Sequence, residues 1–300
     1  MLLLSSFTGY FLGIERNLGG VLLGKEKMQL ESLSNFVLFF LVLSPMTIWG
    51  DFFSTIGKIF VLRIIGYCIG IVIKLWFLRG HFLRVKLKLK LKMFMETKYY
   101  WFTGLSETAL READILILSF FIDGALLGAY FLALRIYFSF GILAEVISTS
   151  LTPFLSKCYV NKKSGGFYRF NKYMLFLFMV FSFIFSATLF FSRNLIVKLF
   201  SPEFLHYSGK YLFFLSFILF FRFFSFSTGI ILSSSDLQRT RSNIMFSASI
   251  LIIVLNVILG YYFNVSGVII SRAFIELLIF FLFGFFVNKI ALKHDQDRQE

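Results

Sequence analysis

RVKLKLKLK, residues 84–92, sets a cation at every second position with an apolar residue between. Extended, the run is amphipathic, with Val85, Leu87, Leu89 and Leu91 facing away from the cations, and such alternation is that of a β-strand. Coiled, it has no single face, because Lys86 and Lys90 point nearly opposite to Lys88 and Lys92 at about 100° per residue. The choice between a β-protein, a nucleic-acid arm and a membrane protein therefore rests on the residues around it. They are oily. The 300-residue chain is 58% hydrophobic, 20% aromatic and 15% charged, with 45 Phe against 3 Trp, where a soluble domain is roughly half apolar and about a quarter charged. Mean hydropathy is +0.82. A net charge of +14 in a soluble protein raises nucleic acid as a partner. Here the cations sit in short segments between apolar runs, where membrane topology puts them. The run reads as a connection between membrane spans that lies along an anionic lipid leaflet, each cation contributing about 1 kcal/mol near the surface. No nucleic-acid partner is expected.

A helix crosses the hydrocarbon core in about 20 mostly apolar residues. Eight segments qualify: 33–50, 59–78, 103–123, 130–153, 172–192, 210–232, 244–263 and 266–288. The predicted fold is all-α, a polytopic membrane protein of about eight transmembrane helices. The opening MLLLSSFTGYFLGI reaches Glu15 after about 14 residues, about 21 Å of helix against a core about 30 Å thick. It lacks the basic region and cleavage site of a signal peptide and reads as a partial helix.

Lysine and arginine in the connections divide 20 to 4 between the two sides. The richer side holds Arg16, Lys25, Lys27, seven cations from Arg79 to Lys98, five from Lys157 to Lys172, then Arg239, Arg241, Lys289, Lys293 and Arg298. The poorer side holds Lys58, Arg193, Lys198 and Lys210. The richer side, with the C-terminus, is thereby expected to be cytoplasmic. The long basic connection separates two spans from six. This predicts the remnant of an N-terminal lobe over 1–78, a basic cytoplasmic hinge over 79–98, a complete six-helix lobe over 99–288 and a cytoplasmic tail over 289–300. Two bundles that rock about a central site are a common transporter plan.

Reaction chemistry has little to stand on. Cys68 and Cys158 are far apart with no His or Cys at metal-ligand spacing, so neither a disulfide framework nor a zinc site is supported. His81, His206 and His294 are scattered. There is no Gly-rich phosphate loop and no nucleophile–base set, so an ATPase is not expected. The expectation is a non-enzyme with no metal, no cofactor and no catalytic residue.

READILILSFFIDGALLGAYFLALRIYFSFGILAEVISTSLTPFLSK, with Asp114 early, Gly128-Ala129-Tyr130 closing the turn, Arg135 after it and Pro153 at the end, resembles the start of the second lobe of bacterial O-antigen and polysaccharide-unit flippases. LIVKLFSPEFLHYSGKYLFFLSFILFFRFF and SSSDLQRTRSNIMFSASILIIVLNVILGYYFNVSGVIISRAFIELLIF, with Asn256 and Gly267, resemble the connection between that family's ninth and tenth spans and its last two spans. ERNLGGVLLGKEKMQLES resembles the connection between its fourth and fifth spans, which implies that the first three or so spans are lacking. Those flippases share a superfamily with multidrug antiporters and the lipid II flippase. The resemblance implies two six-helix lobes around a cavity open alternately to each side. The implied task is turning a polyprenyl-pyrophosphate-linked sugar unit across the bacterial inner membrane, a transfer without bond chemistry.

Ionisable groups at membrane depth cost kilocalories and usually face a cavity or a partner. Glu107, Arg111 and Asp114 fall at i, i+4 and i+7, on one helical face within about 60°. Either the acids neutralise Arg111, or Asp114 or Glu107 binds a coupling proton or cation. Arg135, Ser139 and Thr149 form a stripe on the next span, with Glu145 about 80° away. Arg222 lies mid-span with no acid within two turns of its own helix. Guanidinium pairs bidentately with phosphate and carboxylate, so Arg222 is the leading substrate contact, with an interhelical pair as the plainer reading. Arg272 and Glu276, at i and i+4, are expected to neutralise each other. Arg63 either lines the first lobe's cavity or snorkels outward, as Lys74 is expected to do. The substrate-binding candidates are thus Arg222, Arg135, Arg111, Arg63 and Arg272. The ion-coupling candidates are Asp114, Glu107, Glu145 and Glu276. Tyr130, Tyr137 and Asn256 are weaker candidates for sugar contact, and the phenylalanine runs are lipid- or helix-facing bulk.

Two further readings stay open. A drug or cation antiporter of the same superfamily predicts a cavity dominated by acids, whereas the interior arginines 111, 135, 222 and 272 match or outnumber them. A non-transporting membrane scaffold for a glycan-assembly complex is the third. The expected partners are the lipid-linked glycan, anionic membrane lipids and glycan polymerase machinery.

Overall fold

Lipid offers backbone N–H and C=O groups no partner, so a spanning segment satisfies them within itself, and a helix does so locally. The computed structural model describes residues 10–15, 18, 30, 33, 34, 36, 37, 56–82, 91–160, 164–235 and 237–296. These are helical apart from short turns, and no strand occurs among the described residues. The elements are α1 (Ile56–Phe82), α2 (Leu91–Leu118), α3 (Gly124–Val160), α4 (Ser164–Phe200), a 3-10 turn (Pro202–Phe204), α5 (Leu205–Ser234) and α6 (Gln238–Gln296). Five stretches are long and apolar enough to cross a membrane: Val61–Arg79, Gly124–Tyr159, Phe170–Phe200, Pro202–Ser234 and Gln238–Lys289. The protein is an all-α polytopic membrane protein.

The chain divides into two compact units, Met1–Leu89 and Lys90–Glu300. Of the basic connection 79–98, Arg79–Phe82 close α1 and Leu91–Lys98 open α2, while 83–90 lie outside the described residues. Most of the RVKLKLKLK run falls there, and its last two residues, Leu91 and Lys92, are helical and not extended.

In the first unit, α1 carries its apolar residues all around, as a lipid-embedded helix does. Lys74 does not snorkel. It is fully buried, its ammonium paired with the Glu15 carboxylate and 3.4 Å from the Glu15 carbonyl. A cation that finds a buried acid has no need to reach the interface. Of the predicted span 33–50, only Leu33, Ser34, Phe36 and Val37 are described, all helical.

The second unit is a bundle. Helix α2 ends at Leu118, five residues short of the span predicted over 103–123, because SFFID forms the turn. The N–H groups of Phe121 and Ile122 fold back on the Leu118 carbonyl at 2.9 and 3.1 Å, and the Asp123 carbonyl accepts the Leu127 N–H at 3.0 Å to open α3. Helix α5 is the centre, with 67% of its apolar window buried. Ser182 of α4 donates to the Phe220 carbonyl at 2.7 Å, Ser186 donates to the Ser216 carbonyl, and Ser208 donates to the Ala129 carbonyl of α3 at 2.8 Å. Small hydroxyls of this kind join helices where lipid supplies no hydrophobic drive between them.

Helix α6 is two arms folded at Asn264, whose φ of 51° and ψ of −135° leave the helical region. A Cβ on Gly267 would stand 2.0 Å from the Leu259 carbonyl oxygen, whereas residues eight apart in a straight helix are about 12 Å apart. Among the described residues the second unit is built from α2, α3, α4, α5 and both halves of α6. Phe221 and Phe224 pack on Phe280, while Phe183 and Phe191 stand exposed on α4 as lipid-facing bulk.

Candidate functional site

Helical spacing puts Glu107, Arg111 and Asp114 on one face of α2, over about 10 Å of rise. The second arm of α6 meets that face with Arg272 and Glu276. The first arm of α6 adds Arg241, α3 adds Phe138 and Glu145, and α5 adds Arg222. Two sites of different character result.

The first is sealed. Asp114 is fully buried, and its oxygens accept from Arg272 Nε at 2.6 Å, the Tyr130 hydroxyl at 2.7 Å and Asn256 Nδ2 at 2.8 Å. Arg272 donates another N–H to the Leu110 carbonyl at 2.8 Å. The expected Arg272–Glu276 neutralisation does not occur. Arg272 reaches across to Asp114, because a carboxylate with two further donors compensates a desolvated guanidinium better than a neighbour on the same helix. Tyr130 and Asn256, read as sugar contacts, are instead occupied here.

The second is a small cavity, about 70 Å³, lined by Glu107, Arg111, Glu145, Arg222, Arg241 and Glu276, with Ser225, Phe226, Met245 and Phe283 among the remaining walls. Each arginine has an acid. Arg222 Nη1 meets Glu276 Oε1 at 2.7 Å, Arg241 Nη2 meets Glu107 Oε1 at 2.8 Å, and Arg111 Nη2 lies 3.5 Å from Glu145 Oε2. Exposure rises along this ladder, from 8% at the Glu276 side chain to 43% at Glu107 and 44% at Glu145. The last two carboxylates are accordingly the most exposed of the three.

Phe138 organises the guanidinium groups. Arg222, Arg272 and Arg111 lie 5.1, 5.2 and 5.7 Å from its ring centroid, within range of the attraction between a cation and a ring face. Two glycines make room for the long side chains. A Cβ on Gly141 would meet Arg222 Nε at 3.4 Å, and one on Gly229 would meet Arg241 Nε at 3.4 Å. Both Nε atoms are buried without a hydrogen-bond partner.

Among the sequence candidates, Arg111, Arg222, Glu107, Glu145 and Glu276 line this cavity, and Asp114 and Arg272 form the sealed site. Arg135 does neither. It is exposed on α3, its guanidinium 4.7 Å from the Phe131 ring. Arg63 is exposed on α1, in the first unit. The cavity holds as many glutamates as arginines, so the arginine excess counted along the sequence does not carry into it. Sequence reasoning missed Arg241, which was counted as a topology charge beside Arg239. The available signal was register: Arg241 and Asn256 lie within about 60° on one helix. Phe138 carried no signal among so many phenylalanines. Among the described residues no three His, Cys, Asp or Glu side chains converge as a metal site.

The bundle thus encloses paired charges between its helices. Residues 101–261 match the MatE family, more than half of the chain, and the chain belongs to that family, whose members are transporters. No curated protein matches it. The matched segment takes in Glu107, Arg111, Asp114, Glu145, Arg222, Arg241 and Asn256, and stops before Arg272 and Glu276.

Proposed function

We propose that this chain moves a polyprenyl-pyrophosphate-linked oligosaccharide unit across the bacterial inner membrane, by alternating access, for O-antigen or another surface polysaccharide. The observation that supports this most is Arg222. It sits mid-span on the central helix, reaches the cavity, and holds a single carboxylate partner with its Nε unsatisfied. A diphosphate can engage the planar guanidinium through two oxygens, where Glu276 meets it through one. Arg111, whose contact with Glu145 is already long at 3.5 Å, is the second phosphate contact. A cavity of about 70 Å³ suits the phosphate end of such a lipid and leaves the sugars outside it. In this reading Glu276 and Glu145 occupy the arginines between cycles, and substrate displaces them. The glycan polymerase machinery is the partner that receives the unit.

The test is surface glycan display in a deletion strain of the producing bacterium. The wild-type chain restores it, Arg222→Ala fails at equal protein level, and Arg222→Lys restores it in part, since the charge stays but the fork is lost. Glycan display intact in Arg222→Ala overturns the site. A drug or cation antiporter is the second reading, favoured by the exposed carboxylates of Glu107 and Glu145. It predicts that deletion changes susceptibility to toxic cations and leaves the glycan unchanged. Normal glycan restored by a variant lacking both Arg222 and Arg111 would instead leave a scaffold role.

A further inference from the structure

Two arginines of the bundle share one ring and divide two acids between them. Arg222 and Arg272 lie 5.1 and 5.2 Å from the Phe138 centroid. Arg222 Nη1 meets Glu276 Oε1 at 2.7 Å, and Arg272 Nε meets Asp114 Oδ2 at 2.6 Å. Glu276 stands one turn after Arg272 on the second arm of α6, at the i, i+4 spacing that brings Cβ atoms within about 5–6 Å. It nonetheless pairs across to α5. Charge explains this. Arg222 has no other acid partner among the described residues, and Arg272 already has Asp114. Were Glu276 to turn to Arg272, Arg222 would be left as an unpaired cation, which a desolvated interior penalises.

That balance changes when another anion takes Arg222. Glu276 is then the surplus charge, its side chain 8% exposed and at membrane depth, where an unpaired carboxylate is costly. The cation next to it on its own helix is Arg272. In the sealed site that guanidinium uses Nε for Asp114 and Nη2 for the Leu110 carbonyl, while Nη1 has no hydrogen-bond partner among the described residues. One donor of the fork is thus open to a second carboxylate, and the Asp114 bond need not break to provide it.

We propose that Arg272 is a positioning residue for anion uptake: when a phosphate engages Arg222, Glu276 rotates back onto Arg272 Nη1, and Arg272 bridges the two carboxylates. This rests on the reading that an anion reaches Arg222, and adds that Arg272 supports its affinity without touching it. The mark of the relay is its dependence on Glu276, since without a displaced carboxylate Arg272 has nothing to receive. The test titrates the purified full chain in detergent with inorganic pyrophosphate by calorimetry, alongside melting curves. Glu276→Gln is expected to bind about tenfold tighter than wild type, because Arg222 is free from the start. Asp114→Asn with Arg272→Met is expected to bind about tenfold weaker, and adding Glu276→Gln to that pair returns affinity to that of Glu276→Gln alone. Arg272→Lys keeps a charge for Asp114 but loses the fork, and weakens binding about threefold with the same dependence on Glu276. Binding unaffected by these changes at Arg272, or weakened equally with and without Glu276, overturns the relay and leaves the Arg222 reading standing. Wild-type protein that binds no pyrophosphate overturns both.

Discussion

Asp114 is sealed, with both oxygens engaged by Arg272, Tyr130 and Asn256, whereas Glu107 and Glu145 are partly exposed. The three acids differ in what their loss does. Asp114→Asn leaves Arg272 as an uncompensated buried cation, at about 3–5 kcal/mol, and is expected to lower the melting temperature in detergent sharply. Asp114→Asn combined with Arg272→Met restores much of it, since no charge then stays unpaired. Glu107→Gln, at a part-exposed pair, costs below about 1 kcal/mol, so its melting curve stays near wild type whatever happens to transport. An Asp114→Asn protein as stable as wild type would show that this site does not hold the fold. That Glu107, Arg111 and Asp114 share a face was legible from spacing. Which of them is sealed was not, because Arg272 lies 158 residues from Asp114 along the chain.

At the scale of elements, the hairpin of α6 bears the most on the site, since Asn256 and Arg272 approach Asp114 from opposite arms. The arms touch at Gly267, where a Cβ would meet the Leu259 carbonyl oxygen at 2.0 Å. Gly267→Ala must push backbone against backbone. It is expected to cost about 1–3 kcal/mol and to loosen the Asp114 cluster with it, read as a lower melting temperature. Asn264, at φ 51°, stands where glycine is at ease. Asn264→Gly is expected to be neutral or stabilising by up to about 1 kcal/mol, and Asn264→Val destabilising, by the same measurement. The turn itself was legible in YFNVSG between two apolar runs. Helix α2 shows the opposite case. Its charges keep it out of the set that hydropathy picks as spanning, and it belongs to the bundle because those charges find partners on α3 and α6.

Across the whole molecule, the distribution of cations sets an orientation. With 20 on one side and 4 on the other, the C-terminus is expected in the cytoplasm. Alkaline phosphatase fused after Glu300 should be inactive, and the same reporter placed after Pro202 should be active. The reverse pattern would invert this orientation. The sequence alone determined the class, an all-α polytopic membrane protein, because hydropathy and backbone satisfaction in lipid are local properties that add along a chain. It also located the charges that membrane depth makes conspicuous. Only the tertiary structure decided their partners. It gave Arg272 to Asp114, Glu276 to Arg222 and Glu107 to Arg241, turned Arg135 outward, and balanced the cavity's charge. Ion pairing between helices depends on rotation and depth to within a few ångströms, and Coulomb attraction in a desolvated interior rewards the closest pair whatever its distance along the chain.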